Sequence, residues 1–255
     1  MKTSVRTSVL LPLVGVLALS LASWAQSGAR AQSGNFEVAQ NGHDVGTASY
    51  QFTSTPKGYD STSVVRVAMQ GLDYALSKTE RLSVANHLDH VQLSATVNGS
   101  AVTVTAAPAL DSGVGAQFLL NISANGKSST ARLDAHEGAV FLPDFDPGAL
   151  ETLLALAVTQ NNRDLWAILP KNAGPNNPGS IEPVQLATYR DEAGTLDGKA
   201  IPVHHLVATI AGTHTDLFSG PENQLLQAEL PQAGFALVRK GFVLTPPAKP
   251  IVPAE

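Results

Sequence analysis

The stretch "VQLSATVNGSAVTVTA", residues 91–106, decides the fold class of this chain. Strand-forming residues alternate with polar ones on both sides of Asn98-Gly99, as in half-buried strands. Asn-Gly suits a two-residue type I′ turn, because both turn positions need a positive φ. The stretch therefore predicts an antiparallel β-hairpin, and residues 116–134 repeat the pattern around Asn125-Gly126.

Strand-and-turn patterns of this kind fill most of residues 36–244. Short turns separate the alternating runs, and short turns join antiparallel neighbours. The predicted turns fall at residues 40–44, Gly71, 196–198, 211–212 and 231–234. We therefore predict one mostly β domain over 36–244, built as a curved antiparallel meander sheet of the half-barrel or open-barrel type.

One helix is predicted to interrupt the strands, at about residues 146–160. Asp146 has the side chain of an N-cap, and Pro147 suits the first helical position. Apolar residues then follow at helical spacing, which predicts an amphipathic helix packed on the sheet. The later segment 170–183 is dense in Pro, Gly and Asn, and it predicts an irregular loop.

The two ends of the chain are expected to lie outside this domain. Lys2 and Arg6 precede the apolar run 9–22, and small residues follow at cleavage spacing, which is typical of a secretory signal peptide over residues 1–31. The cut is predicted after Ala25 or Ala31. The apolar run is too short to span a bilayer. Residues 245–255 contain four prolines and predict a disordered tail.

Composition narrows the compartment and the partners. The chain has no cysteine, which excludes disulfides, thiolate metal sites and a lipid-modified cysteine at the cleavage site. Without residues 1–31 it holds 13 basic and 21 acidic residues, with no basic cluster. Nucleic acid and anionic membrane surfaces are therefore poor partners. We expect a periplasmic or secreted bacterial protein that is not a lipoprotein and has no membrane span after cleavage.

The histidines do not predict a metal centre. His204 and His205 are neighbours on a predicted strand, so their side chains point to opposite faces. If the chain runs on straight past residues 211–212, about 33 Å separates His214 from His204; if it folds back tightly, His214 lies opposite about residue 209. Neither geometry brings the ligands of one ion together. His87 and His90 are also separated by strand geometry. We predict strand histidines, no metal and no cofactor.

No motif predicts an enzyme. Gly126-Lys127-Ser128 resembles the end of a phosphate-binding loop, but a strand follows it where that loop needs a helix. No G-x-S-x-G elbow occurs. The segment "DSGVG", residues 111–115, lacks the second aspartate loop that an aspartic protease requires. We therefore expect a binding protein rather than an enzyme.

The order of elements, from signal peptide through meander and apolar helix to a closing meander, resembles the lipoprotein-carrier family of the LolA/LolB type. The resemblance spans about residues 36–244 and implies a half-closed sheet with an apolar face that holds acyl chains. The helix would then meet a lipid or hydrophobic small molecule through Leu150, Leu153, Leu154 and Ala157. An envelope protein is a second possible partner. The alternatives are a hydrolase with a histidine base and an interaction module that uses a sheet edge.

Overall fold

The computed structural model describes residues 33–109, 117–161, 163–174 and 177–245. Within these ranges the protein consists of seventeen strands, one α-helix and one short 3₁₀ turn. The strands form one large mixed sheet that does not close. The predicted mostly β fold, a curved meander sheet with one helix, is confirmed.

The first half of the sheet is a meander in which each strand pairs antiparallel with the next. Its strands are β1 Ser33–Gln40, β2 His43–Thr55, β3 Gly58–Met69, β4 Leu72–Ser83, β5 Leu88–Val97, β6 Ser100–Pro108, β7 Gln117–Ala124 and β8 Lys127–Asp134. Asn98-Gly99 and Asn125-Gly126 both have positive φ at the two turn positions. The two predicted hairpins are therefore confirmed.

A helical crossover joins the two halves of the sheet. Strand β9 Gly138–Phe141 precedes helix α1 Pro147–Thr159, and β10 Leu165–Gly174 follows it. β10 pairs parallel with β9, as strands joined by a helical crossover do. The expectation of an exclusively antiparallel sheet is therefore wrong at this one pair.

The second half returns to the first strand of the chain. Strand β16 pairs antiparallel with β1, which makes the two halves one sheet. The remaining elements are β11 Asn177–Thr188, β12 Glu192–Leu196, β13 Lys199–Ile210, β14 Thr213–Ser219, β15 Leu225–Leu230, the 3₁₀ turn Pro231–Ala233, β16 Phe235–Arg239 and β17 Phe242–Leu244.

The prediction of an irregular loop over 170–183 is wrong, because the structure has strands there. β10 and β11 pair antiparallel across most of this segment, with a register shift between Leu169 and Ala173. Local composition favours a loop, but the ladder satisfies backbone hydrogen-bonding groups of the paired residues. Pairing with neighbouring strands therefore overrides the weak strand propensity of Pro, Gly and Asn.

Helix α1 is enclosed by the sheet. It contacts β1, β2 and β3 on one side and β9, β10 and β15 on the other. Ten of its thirteen residues are buried, and they occupy every side of the helix. The predicted amphipathic face is therefore not observed: α1 is apolar nearly all round, as a helix in the centre of a core is.

The core has a large part and a small part. The inner face of the sheet, which packs on α1, carries the main cluster. A separate cluster on the opposite, outer face consists of Val203, Phe218, Leu226 and Phe242. β12 pairs with β13 on one side and with β17 on the other. These strands reach the outer cluster through Leu196, Phe242 and Leu244.

The predicted terminal segments lie almost wholly outside the described residues. These are the signal peptide over 1–31 and the tail, of which only Thr245 is described. The single-domain division stays a prediction. In the described part of the chain, no helix has the length and apolarity to cross a bilayer.

Candidate functional site

The N-terminal end of α1 is fixed by its predicted cap. Asp146 Oδ1 accepts hydrogen bonds from the backbone N–H groups of Gly148, at 2.9 Å, and Ala149, at 3.3 Å. Pro147 occupies the first helical position, where its missing N–H is not needed. Cap and proline together set the start of the helix as predicted.

A buried ion cluster ties this cap to the sheet. Lys78 on β4 is fully buried, and its Nζ lies 2.7 Å from Asp146 Oδ2 and 3.1 Å from Glu80 Oε2. Burial lowers the pKa of the Lys78 ammonium, but the carboxylates of Asp146 and Glu80 raise it by more. The net pKa lies above the ordinary lysine value, so Lys78 stays charged and is no base.

Two serines of β3 extend the polar cluster. Ser63 stands opposite Lys78 and Ser61 opposite Glu80 in the β3–β4 ladder, and both serines are buried. Neither hydroxyl has a hydrogen-bond partner among the described residues. A Cβ on Gly148 would lie only 2.6 Å from Ser63 Oγ, so the helix touches β3 here. The cluster anchors the first turn of the helix to the sheet.

A second contact fixes α1 to the other half of the sheet. Glu151 is buried, and its Oε2 accepts the backbone N–H of Leu225 on β15 at 2.7 Å. Burial and the nearby Glu151 carboxylate raise the pKa of the Tyr50 phenol, while Arg239 acts in the opposite direction. With its cap tied to β4 and Glu151 tied to β15, the helix is a fixed element of the core.

The space next to the helix is a cavity of about 370 Å³ at its N-terminal end. The β9–α1 connection, the first turn of α1 and the inner faces of β10 and β13–β16 line it. Its lining is mostly apolar and includes two aspartates and two threonines. The lining residues are Leu142, Pro143, Asp144, Phe145, Asp146, Leu150, Leu169, Ile210, Ala211, Thr213, Thr215, Leu230 and Leu237.

The four predicted ligand-binding residues are divided between cavity and core. Leu150 lines the cavity. Leu153, Leu154 and Ala157 are buried in the main cluster and are not among its lining residues. The structure therefore does not bring the four together at one site, and their binding role stays a prediction.

The strand side chains of the cavity were missed in the sequence. Leu169, Ile210, Leu230 and Leu237 come from four different strands, and only the sheet order brings them together. The alternation of β13 and β14 does place Ile210 and Thr213 on the inner face. The alternation does not predict that a cavity is left beside these two side chains.

Phe145 lies at the edge of the cavity in a strained conformation. Its φ is +58°, a region that bulky side chains rarely adopt. The ring packs edge-on against Phe235, at 4.8 Å between centroids, and against Tyr74, at 6.0 Å. The Tyr74 hydroxyl donates to the Asp144 carbonyl at 3.4 Å. These aromatic contacts hold the connection against one wall of the cavity.

No histidine of the described residues lines the cavity, and on β13 and β14 His205 and His214 lie on the outer face while His204 lies on the face of Leu206. Thr209 pairs with His214 across β13 and β14, as the tight turn predicts. His204 Nδ1 lies 2.9 Å from Asp191 Oδ1, and His205 contacts a different pair of carboxylates. In the described ranges no group of three His, Asp or Glu side chains could hold a metal ion.

A larger but shallow groove of about 700 Å³ lies at the β2–β3 and β4–β5 turns, where it includes His87. Its charged side chains are exposed, and Arg81 pairs there with Asp60 at 3.5 Å and Asp89 at 4.0 Å. Exposed pairs of this kind hold little binding energy. The smaller apolar cavity is therefore the better candidate site.

Comparisons with known proteins give no relative for this chain: no protein-family model, no curated protein and no solved structure matches it. The functional argument therefore depends on the cavity and its surroundings.

Proposed function

We propose that this protein is a periplasmic or secreted binding protein that takes one small hydrophobic ligand into the cavity beside α1. The observation that carries the proposal is the apolar cavity of about 370 Å³, lined by side chains of the helix and of five strands. Ligand pockets of about 300–1,000 Å³ with mostly apolar walls and a few polar groups are typical of small-molecule sites.

The size and the walls of the cavity narrow the ligand class. Its volume is near the lower end of that range, which favours a single acyl chain or a small apolar molecule over a complete lipid anchor. The hydroxyls of Thr213 and Thr215 lie at one wall and can donate hydrogen bonds. We therefore propose a ligand with an apolar body and a hydrogen-bond acceptor at one end.

The proposal keeps ligand binding between helix and sheet, as in the carrier type, but differs in how the ligand enters. In a carrier of the resembled type, helix and sheet would separate to admit acyl chains. Here the contacts of Asp146 with Lys78 and of Glu151 with Leu225 hold the helix in place. We propose that the ligand enters beside the first turn of α1, without displacement of the helix.

The hydrolase alternative has one observation in its favour. Thr209 Oγ1 lies 2.9 Å from His214 Nδ1, which is hydrogen-bond reach for a nucleophile and a base. In the described part of the chain no carboxylate pairs with His214, and the pair is exposed on the opposite side of the sheet from the cavity. The binding function is therefore the better supported of the two.

Native mass spectrometry of the mature protein, purified from its own cell envelope, tests the proposal. We expect one apolar molecule bound per chain, released on denaturation and identified by extraction. Protein refolded from denaturant serves as the ligand-free control and should rebind a neutral apolar dye, N-phenyl-1-naphthylamine, saturably. A ligand-free native mass together with no saturable dye binding would refute the proposed function.

A further inference from the structure

His205 is held between two carboxylates from two different strands. Its Nε2 lies 2.8 Å from Asp216 Oδ1 on β14, and its Nδ1 lies 3.3 Å from Glu192 Oε1 at the start of β12. All three side chains are mostly buried: His205 is 13% exposed, Glu192 17% and Asp216 23%. This geometry differs from that of His204, whose carboxylate partner Asp191 is 67% exposed.

Aromatic rings keep the imidazole in this position. It stacks on Phe218 with 4.5 Å between centroids and 21° between planes, and Tyr189 packs on it at 5.1 Å. The backbone N–H of Tyr189 also donates to the His205 carbonyl at 2.8 Å. The ring therefore has little freedom to turn away from either carboxylate.

The two contacts differ in kind: His205 shares a hydrogen bond with Asp216, whereas its contact with Glu192 is an ion pair at 3.3 Å. A carboxylate accepts hydrogen bonds and does not donate them when it is ionised, and neutral imidazole has only one N–H. Only the doubly protonated ring can donate to Asp216 and at the same time attract Glu192 as a cation. When one proton leaves, the shorter contact, with Asp216, is the one that the neutral ring keeps.

The other charged groups around the ring come from the neighbouring strand. Glu229 on β15 stands opposite Asp216 in the ladder, and its Oε1 accepts a hydrogen bond from Gln227. The residues packed against the ring from β14 and from the β11–β12 connection are Phe218 and Tyr189. Glu192, Asp216 and Glu229 are therefore the carboxylates on this side of His205.

We propose that His205 is a pH-operated latch for the start of β12. Doubly protonated, it ties β12 through Glu192 to β14 through Asp216. On losing a proton it releases Glu192, so the start of β12 is then held by its ladder with β13 alone and opens more often over the outer cluster of Val203, Phe218, Leu226 and Phe242. The latch acts on the outer face and is independent of ligand binding in the cavity.

Hydrogen exchange measured by mass spectrometry between pH 5.5 and 8 tests the latch, since imidazoles change charge in this range. Rates are corrected for the intrinsic pH dependence of exchange and referred to peptides of β3 and β4. We expect protection in β12 and β17 to fall about fivefold as the pH rises, which is the upper end of the range for a partly exposed ion pair.

Two variants and one control make the test specific. His205→Gln and Glu192→Gln should both remove the pH dependence, and Glu192→Gln does so without disturbing the ring stack. His204→Gln removes an exposed histidine from the same strand and should keep the wild-type pH dependence. Wild-type protection that is flat with pH, or an unchanged fall in Glu192→Gln, would overturn the latch.

Discussion

Lys78 is the residue whose replacement should destabilise the protein most. It is fully buried with its ammonium between Asp146 and Glu80. Removal of one member of a buried ion cluster leaves the others charged and unpaired in a medium of low polarity. The cluster thus fixes the position of α1 but makes that position sensitive to single substitutions.

We predict that Lys78→Met lowers the free energy of unfolding by about 3–5 kcal/mol, because two buried carboxylates lose their cation. Urea denaturation followed by circular dichroism measures the change. Lys57→Met is the matched control, since Lys57 is exposed and should change stability by less than about 0.5 kcal/mol. Equal effects of the two substitutions would show that the ion cluster is not formed.

Two buried groups, Lys78 and Tyr50, and the partly buried Tyr74 predict loss of stability at alkaline pH. The pKa of Lys78 lies above its ordinary 10.5 because of Asp146 and Glu80, against the opposing effect of burial. Burial and nearby carboxylates raise the pKa of Tyr50 and Tyr74 above 10.0. The native state therefore binds these protons more tightly than the unfolded chain does.

The unfolding free energy should accordingly be insensitive to these groups below their ordinary pKa values and fall as pH rises above about 10. The slope is about 1.4 kcal/mol per pH unit for each proton that the unfolded chain has lost and the native state still holds. Urea titrations from pH 8.5 to 11.5 measure it. A Tyr50→Phe/Tyr74→Phe variant should show a shallower fall, and stability that rises above pH 10 would contradict the assignment.

At the scale of single elements, local signals predict the hairpins and the helix start well. The Asn-Gly turns fix φ by themselves, and Asp146-Pro147 sets the cap without help from distant residues. The parallel β9–β10 pair and the β10–β11 ladder depend on neighbours far along the chain. Composition alone therefore assigned residues 170–183 to a loop.

Under the proposed binding function, a ligand would enter the cavity past the segment between β9 and α1, which lines it. Phe145 lies at the edge of the cavity with a φ of +58° and contacts Phe235 and Tyr74. A left-handed φ costs a bulky residue about 1–2 kcal/mol. A small rearrangement of this segment, between the fixed residues Phe141 and Asp146, would uncover the cavity and relieve the strain.

We predict that Phe145→Gly speeds both association and dissociation of N-phenyl-1-naphthylamine in stopped-flow fluorescence. Glycine adopts the left-handed φ at no cost and removes the ring that covers the cavity edge. Val158→Gly, at an exposed helix position away from the cavity, controls for a general loss of rigidity. Unchanged rates in Phe145→Gly, with wild-type dye affinity, would remove this residue from the entry route.

At the scale of the whole molecule, strand alternation predicts which polar side chains face the core, as well as which apolar ones do. Leu76, Lys78, Glu80 and Leu82 share the inner face of β4, so the period of two predicts that a lysine and a glutamate face the core. Their partner Asp146 was assigned only as a cap. The cavity cannot be predicted from the sequence by strand alternation. Its walls come from elements that meet only in the assembled sheet.

The proposal that the cavity beside α1 binds a hydrophobic ligand is tested most directly by titrating N-phenyl-1-naphthylamine into two variants. The variants change neighbouring residues on β14. Thr215 lines the cavity, whereas His214 is exposed on the outer face. Thr215→Phe should fill part of the cavity and weaken dye binding by at least about tenfold, or about 1.4 kcal/mol. His214→Phe should bind as the wild type does. Equal affinity in both variants, with their folds intact, would place the ligand outside this cavity.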